Sequence, residues 1–217
     1  ALGLVIVAAA PSGVTSNFIT LLARGDVALS IVLTVITSLC AVLTVPLTVA
    51  LAGHVLGIDM AGFRIPVVPT VLAIAVTTAL PLALALWWKR RNPAAVEQAQ
   101  PVLRKIGMGV FALILLIAIA GEWRLIADNW ATLGVAVIAQ NLGAMTLGLL
   151  SGFGVGAGEE RNRALAVQGG LKNVALALTV AITLIGRHDL AVPATLYALV
   201  MNLSALGYIL FQRRRAS

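Results

Sequence analysis

The sequence predicts an all-α membrane protein, a polytopic helical bundle, and three observations carry that expectation. Hydrophobic residues make up 60% of the 217 positions and charged residues 11%, with a mean hydropathy of +1.03, whereas soluble domains carry about 25% charge. Apolar runs of roughly 18–25 residues recur, the length that crosses a hydrocarbon layer of about 30 Å as helix. Two of the runs are interrupted by residues that unwind a helix. Helices of a large soluble core would keep polar faces, and these mostly have none.

Seven spans follow in order. The first, 1–23, is broken at Pro11-Ser12-Gly13-Val14-Thr15-Ser16-Asn17, and Arg24-Gly25-Asp26 turns the chain into a second over 27–53. Residues 54–65, with His54, Asp59 and Arg64, read as an outer loop before a third span at 66–88. The stretch 89–105 is the one sizeable polar segment and reads as a connector with a short interfacial helix anchored by basic ends. Spans at 105–121 and 131–152 come next. Glu159-Glu160-Arg161-Asn162 then turns into 163–186, broken at Gln168-Gly169-Gly170-Leu171-Lys172-Asn173, and the last span is 191–211. Trp87, Trp88, Trp123 and Trp130 fall at span ends, where indoles favour the headgroup region.

The net charge of +7 is topological. Alternating the spans puts Arg24, Lys89, Arg90, Arg91, Arg104, Lys105, Arg161, Arg163 and Arg213 to Arg215 on one face, against Arg64, Arg124 and Arg187 on the other. That asymmetry places the C-terminus in the cytoplasm, in a bacterial inner (plasma) membrane, and leaves no basic surface for nucleic acid. Residue 1 is Ala within an apolar run, so the expectation is a C-terminal part of a longer protein. Cys40 is the single cysteine and reads as a small packing residue. His54 and His188 read as solvated loop residues, and Glu122, Asp128, Glu159 and Glu160 as solvated groups at span ends. No phosphate loop, metal-ligand spacing or nucleophile–base pair is evident, which argues against an enzyme and against a cofactor.

The breaks point to function. Glycine, proline and small polar residues at membrane depth free backbone groups that lipid cannot satisfy, and a pair of interrupted spans marks the substrate and ion site of a secondary transporter. The first broken span runs inward and the second outward, each with a glycine followed by an asparagine, as an inverted repeat requires. Two unrelated glycine kinks are the bland alternative.

The residues around the first break resemble a known signature. Pro11-Ser12-Gly13, then Ser16-Asn17, then Leu22-Ala23-Arg24-Gly25-Asp26-Val27-Ala28-Leu29-Ser30 is similar to the fourth-span block of the bile acid:sodium symporter family, which reads Pro-Gly-Gly, Ser-Asn and Leu-Ala-Arg-Gly-Asn/Asp-x-x-Leu-Ser. Gly170-Leu171-Lys172-Asn173 falls where the family has Gly-Met-Gln-Asn in its ninth span, and Pro193 and Asn202 fit its tenth. The resemblance implies a ten-span fold of two inverted repeats, of which this chain holds spans four to ten as one membrane domain over 1–217. Two broken helices would cross in a core made of 1–53 and 131–211, 66–121 would belong to a moving panel, and spans one to three of the same protein would be partners.

Carried over position by position, Ser16, Asn17, Ser30 and Thr34 match the side chains that ligate the family's first sodium ion, a hard cation suited to oxygen ligands. Two departures stand beside them. Gln168 takes the place of the family's ion-binding Glu, and Lys172 that of the Gln at the second sodium site. A neutral Gln with a protonated Lys carries the same local charge as one carboxylate with two sodium ions, so Lys172 reads as a tethered cation; a lysine snorkelling to the interface is the bland alternative. Gly13, Gly169, Gly170, Asn173 and Asn202 read as the substrate-binding positions, with helix N-termini after Asn17 and Asn173 facing an anion. The expected function is sodium-independent transport of a small organic anion across the lipid bilayer. A sodium-coupled symporter is the near alternative and a non-transporting receptor or scaffold the distant one.

Overall fold

In the computed structural model the described residues are 1–58 and 80–215. The residues between, which hold Asp59, Arg64 and most of the span expected at 66–88, lie outside the description. The chain divides into two compact units, one of 1–65 with 123–217 and the other of 66–122.

In the first unit the opening span is two short helices, α1 (Leu2–Ala9) and α2 (Thr15–Leu22). Eight residues rise only about 12 Å, so neither crosses a bilayer alone. Arg24 adopts a left-handed φ of 57° and Gly25 approaches α2 and the Ala164 backbone so closely that a Cβ would lie 2.9 Å from Thr20 Cγ2 and 3.1 Å from Ala164 N. The turn ends at Asp26, whose carboxylate accepts from Leu29 N at 2.9 Å and so caps α3 (Val27–Val55). His54 completes α3 and is exposed there, outside the loop where the sequence placed it. The turn is also docked: Asp26 N donates to Glu160 O at 2.9 Å, and Arg163 reaches the Arg24 carbonyl at 3.3 Å.

The rest of this unit is α6 (Trp123–Gly154), α7 (Glu159–Gly170), α8 (Val174–Leu178), a π-helical turn (Thr179–Leu184), a 3-10 turn (His188–Ala191) and α9 (Val192–Arg215). Arg187 holds the loop before the 3-10 turn through Asp189, at 2.6 Å. Leu2, Ile6 and Val7 of α1 pack with Val45 and Val49 of α3 and with Leu196, Tyr197 and Val200 of α9 to form the apolar core.

The second unit contains α4 (Leu80–Arg91) and α5 (Pro93–Gly121), separated by Asn92. The sequence reading here needs correction. No separate interfacial helix is followed by a span; 93–121 is one continuous helix that runs through Pro101. Pro93 stands at the first helical position, where its missing N–H costs nothing, and Ala-Ala-Val-Glu-Gln-Ala-Gln is a run of mostly good helix formers. α6 likewise starts eight residues before the expected 131, at Trp123. Among the described residues, Val27–Val55, Trp123–Gly154 and His188–Arg214 are long and apolar enough to cross a membrane. The protein is an all-α integral membrane protein.

Candidate functional site

The two breaks meet. Residues 10–14 and 171–173 run antiparallel, with Ser12 bridged to Lys172. Gly13 N donates to Leu171 O at 3.0 Å and Asn173 N to Pro11 O at 2.7 Å. Each break therefore supplies the partners the other has lost, which is how irregular backbone survives away from water. Gly13 permits the approach, because a Cβ there would sit 3.0 Å from the Lys172 carbonyl oxygen.

The second break differs in detail from the sequence expectation. Gly169 and Gly170 are still helical, and α7 unwinds only at Leu171. Their lack of side chains serves packing, since a Cβ on Gly169 would collide with the Ala144 carbonyl and one on Gly170 with the Met145 side chain, both on α6. The Gly170 carbonyl, freed by the break, accepts from Asn141 Nδ2 at 2.9 Å and Tyr197 OH at 2.8 Å, and Ser204 Oγ donates to Asn141 Oδ1 at 2.6 Å. These three residues escaped sequence reasoning; Asn141, a polar residue inside an apolar run, was the one available signal. Asn202 turns to its own helix and donates to Ala198 O at 2.7 Å.

The helix starts at the breaks are largely self-satisfied. Asn17 lies inside the first turn of α2 and does not precede it. Ser16 N and Asn17 N donate to Gly13 O and Val14 O, at 2.9 and 3.1 Å. Asn173 caps α8 by accepting from Leu176 N at 3.1 Å.

Ser16, Asn17, Ser30, Thr34 and Gln168 converge on one point, and at that point lies the amide nitrogen of Gln168. Its Nε2 is 2.9 Å from Ser16 Oγ, 3.4 Å from Asn17 Oδ1, 2.8 Å from Ser30 O, 2.6 Å from Ser30 Oγ and 3.1 Å from Thr34 Oγ1. The hydroxyl protons point away from this centre: Ser16 Oγ donates to Gly13 O, Ser30 Oγ to Asn17 Oδ1, and Thr34 Oγ1 to Ser30 O or Asn17 Oδ1. Five oxygens thus present lone pairs to a single position, a donor set suited to a hard cation. An amide nitrogen has two protons to offer five acceptors. Reversing the amide would set its carbonyl against Asn17 Oδ1 and the Ser30 carbonyl, neither of which can donate, so the nitrogen belongs inside. The reciprocal cost is visible, because Gln168 Oε1 is buried with no hydrogen-bond partner. The oxygens fit sodium; the Gln168 side chain, lacking a carboxylate and filling the centre, does not.

On the adjoining face of α3, Leu33, Thr37, Cys40 and Thr44 line a cavity of about 400 Å³ together with Ser12, Gln168 and Lys172. Ser12 Oγ and Thr37 Oγ1 lie 3.1 Å apart. Cys40 is exposed, which corrects its reading as a packing residue. None of the ion pairs among the described residues involves Lys172.

Comparison with known proteins accords with this geometry. A probable sodium/metabolite cotransporter of chloroplasts, BASS1, from Arabidopsis thaliana is 26% identical over 211 residues, 97% of this chain and 50% of its own length. The rice protein BASS2, named in the same way, is 26% identical over 99% of the chain and 50% of its own length. An uncharacterized sodium-dependent transporter of Bacillus subtilis, YocS, is 27% identical over 94% of the chain and 61% of its own length. The chain thus spans about half the length of the two plant relatives. Residues 1–129, which contain the first break, the docked turn and α3, match the profile of the sodium bile acid symporter family, and a match over more than half of the chain, joined to crossed helix breaks around an oxygen cage, establishes that the chain belongs to that family.

Proposed function

We propose that the protein, at its full length, is a secondary transporter of a small organic anion that works without sodium. The observation that carries this reading is the position of Gln168 Nε2 among the five oxygens. A cation entering the cage must first displace a side chain that already uses those lone pairs, and it would find no carboxylate to offset its desolvation. Lys172 supplies a positive charge within the second break, on the residue that bridges to Ser12, and an anion is the natural counter-charge. Units 1–65 with 123–217 and 66–122 take the roles of core and panel in this reading, in a bacterial inner membrane with the C-terminus inside.

Sodium coupling is the second reading, favoured by the printed names of the relatives and by the complete set of oxygens. Uptake of labelled monocarboxylates into proteoliposomes separates the two. Uptake that is unchanged when sodium is replaced by choline at constant ionic strength is the expected result; a steep rise with external sodium overturns the proposal. Replacing both residues, Gln168→Glu with Lys172→Gln, should create sodium dependence. Each single change should impair uptake more than the pair, because Lys172→Gln removes the cation and Gln168→Glu draws the new carboxylate to Lys172. A purified, folded protein that takes up no anion under any gradient favours a receptor or scaffold instead.

A further inference from the structure

The second unit carries a cavity on α5, away from the broken spans in the chain. Gln100, Pro101, Lys105 and Met108 line it among the described residues, and its volume is about 370 Å³, within the range of about 300–1,000 Å³ of ligand sites. The uncharged stretch 106–121 that follows accounts for about 24 Å of hydrocarbon depth as helix. Lys105 therefore stands at the membrane border, where lipid phosphates lie. Val102, Leu103 and Ile106 beside it are exposed apolar residues, a surface suited to acyl chains. Between 66 and 121 the sequence has five basic residues and one acid, Glu97, and none of the ion pairs among the described residues involves Lys105. The counter-charge must come from outside the chain. Pro101 adds a second demand. It lies inside α5 and has no N–H for the Glu97 carbonyl one turn back, which leaves an acceptor on the face that holds Lys105 and Met108.

We propose that this cavity seats the headgroup of an anionic glycerophospholipid that carries free hydroxyls, of the phosphatidylglycerol kind. Its phosphate pairs with Lys105 and accepts from the Gln100 amide, a headgroup hydroxyl donates to the Glu97 carbonyl, and its acyl chains lie along Met108 and Ile106. Arg91 is held over the Trp87 ring at 5.5 Å, while Lys89 and Arg90 are exposed at the end of α4 and add positive potential to the same unit. A soluble phosphodiester has the same polar groups, but the exposed apolar residues favour the lipid. The site does not depend on what the protein transports or on its coupling ion.

Native mass spectrometry of the full-length protein in detergent, titrated with dioleoyl lipids, tests the site. Phosphatidylglycerol is compared with phosphatidylmethanol, which has the same charge and no hydroxyl, with zwitterionic phosphatidylcholine, and with the deacylated headgroup glycerophosphoglycerol. Phosphatidylglycerol should bind about fivefold more tightly than phosphatidylmethanol, the effect of one hydrogen bond. Lys105→Gln should weaken both anionic lipids about fivefold, the effect of one basic group at a membrane surface. Lys105→Arg should retain them, and Arg124→Gln, also exposed but on α6, should change neither. Pro101→Ala returns an N–H to the Glu97 carbonyl, so it should abolish the preference for the glycerol headgroup and leave the effect of charge. Equal affinity for all three lipids, an unaltered Lys105→Gln, or a glycerol preference that survives Pro101→Ala overturns the proposal. Displacement of the lipid by equimolar glycerophosphoglycerol overturns it too, because the site would then be one for a soluble phosphodiester.

Discussion

Tyr197 and Asn141 share one acceptor, the Gly170 carbonyl, at 2.8 and 2.9 Å, and both are fully buried. Tyr197→Phe removes one of two donors to that carbonyl and should cost about 1 kcal/mol of stability. Asn141→Leu removes the other donor to that carbonyl, the contact with Tyr197 OH and the shorter of the two acceptors of Ser204 Oγ, which keeps Met201 O at 3.0 Å, so its cost should be larger, about 2–3 kcal/mol. Thermal unfolding in detergent checks the order; equal stability of the two variants would remove the network from the account of the break. At this scale the sequence spoke unevenly. Asn141 was legible as a polar residue in an apolar run. Tyr197 looked like any aromatic residue of a membrane helix, because its role depends on a carbonyl 27 positions away.

The elements meet through glycines, and the glycines are not equivalent. At Gly13 an alanine would press on the Lys172 backbone, and at Gly169 on the Ala144 carbonyl of α6, so both substitutions should cost about 1–3 kcal/mol by overpacking. Nothing lies within 4 Å of a Cβ at Gly207, so Gly207→Ala in α9 should be neutral or gain up to about 1 kcal/mol. Melting temperatures of the three alanine variants test this, and a tolerant Gly13 would undo the antiparallel crossing. Asn173 makes a similar case for capping. Asn173→Ala should lose about 1 kcal/mol and Asn173→Ser should recover most of it; failure of serine to rescue would show that the asparagine does something other than cap α8. The faces of α3 make the same point about position: buried Ser30, Thr34 and Ser38 turn to one side, while Leu33, Thr37, Cys40 and Thr44 line the cavity.

For the molecule as a whole, the basic residues make a prediction about sidedness. Asn92, between α4 and α5, follows Lys89, Arg90 and Arg91, and the positive-inside rule assigns it to the cytoplasm. By the same rule His188, exposed after the second broken span, is expected outside. In a full-length background without Cys40, an impermeant thiol reagent added to intact cells should label His188→Cys and spare Asn92→Cys. The reverse pattern would invert the topology, and labelling of both would abolish it.

The sequence by itself determined the membrane class, the presence of two broken spans and the family, whose signature pointed to the residues that the structure brings together. Each rests on local composition or on a short run of residues, and local signals survive without a fold. Only the tertiary structure decided that the breaks pair through Pro11, Gly13, Leu171 and Asn173, that α7 unwinds after its glycines, and that Cys40 faces a cavity. It also decided the most consequential point, that Gln168 turns its nitrogen into the cage and leaves Oε1 unpaired. A substitution of Gln for Glu states the loss of a charge; where the amide then points depends on five oxygens drawn from α2 and α3, more than a hundred positions earlier in the chain. Hydrogen-bond direction is a property of assembled neighbours, and those neighbours exist only once the helices have crossed.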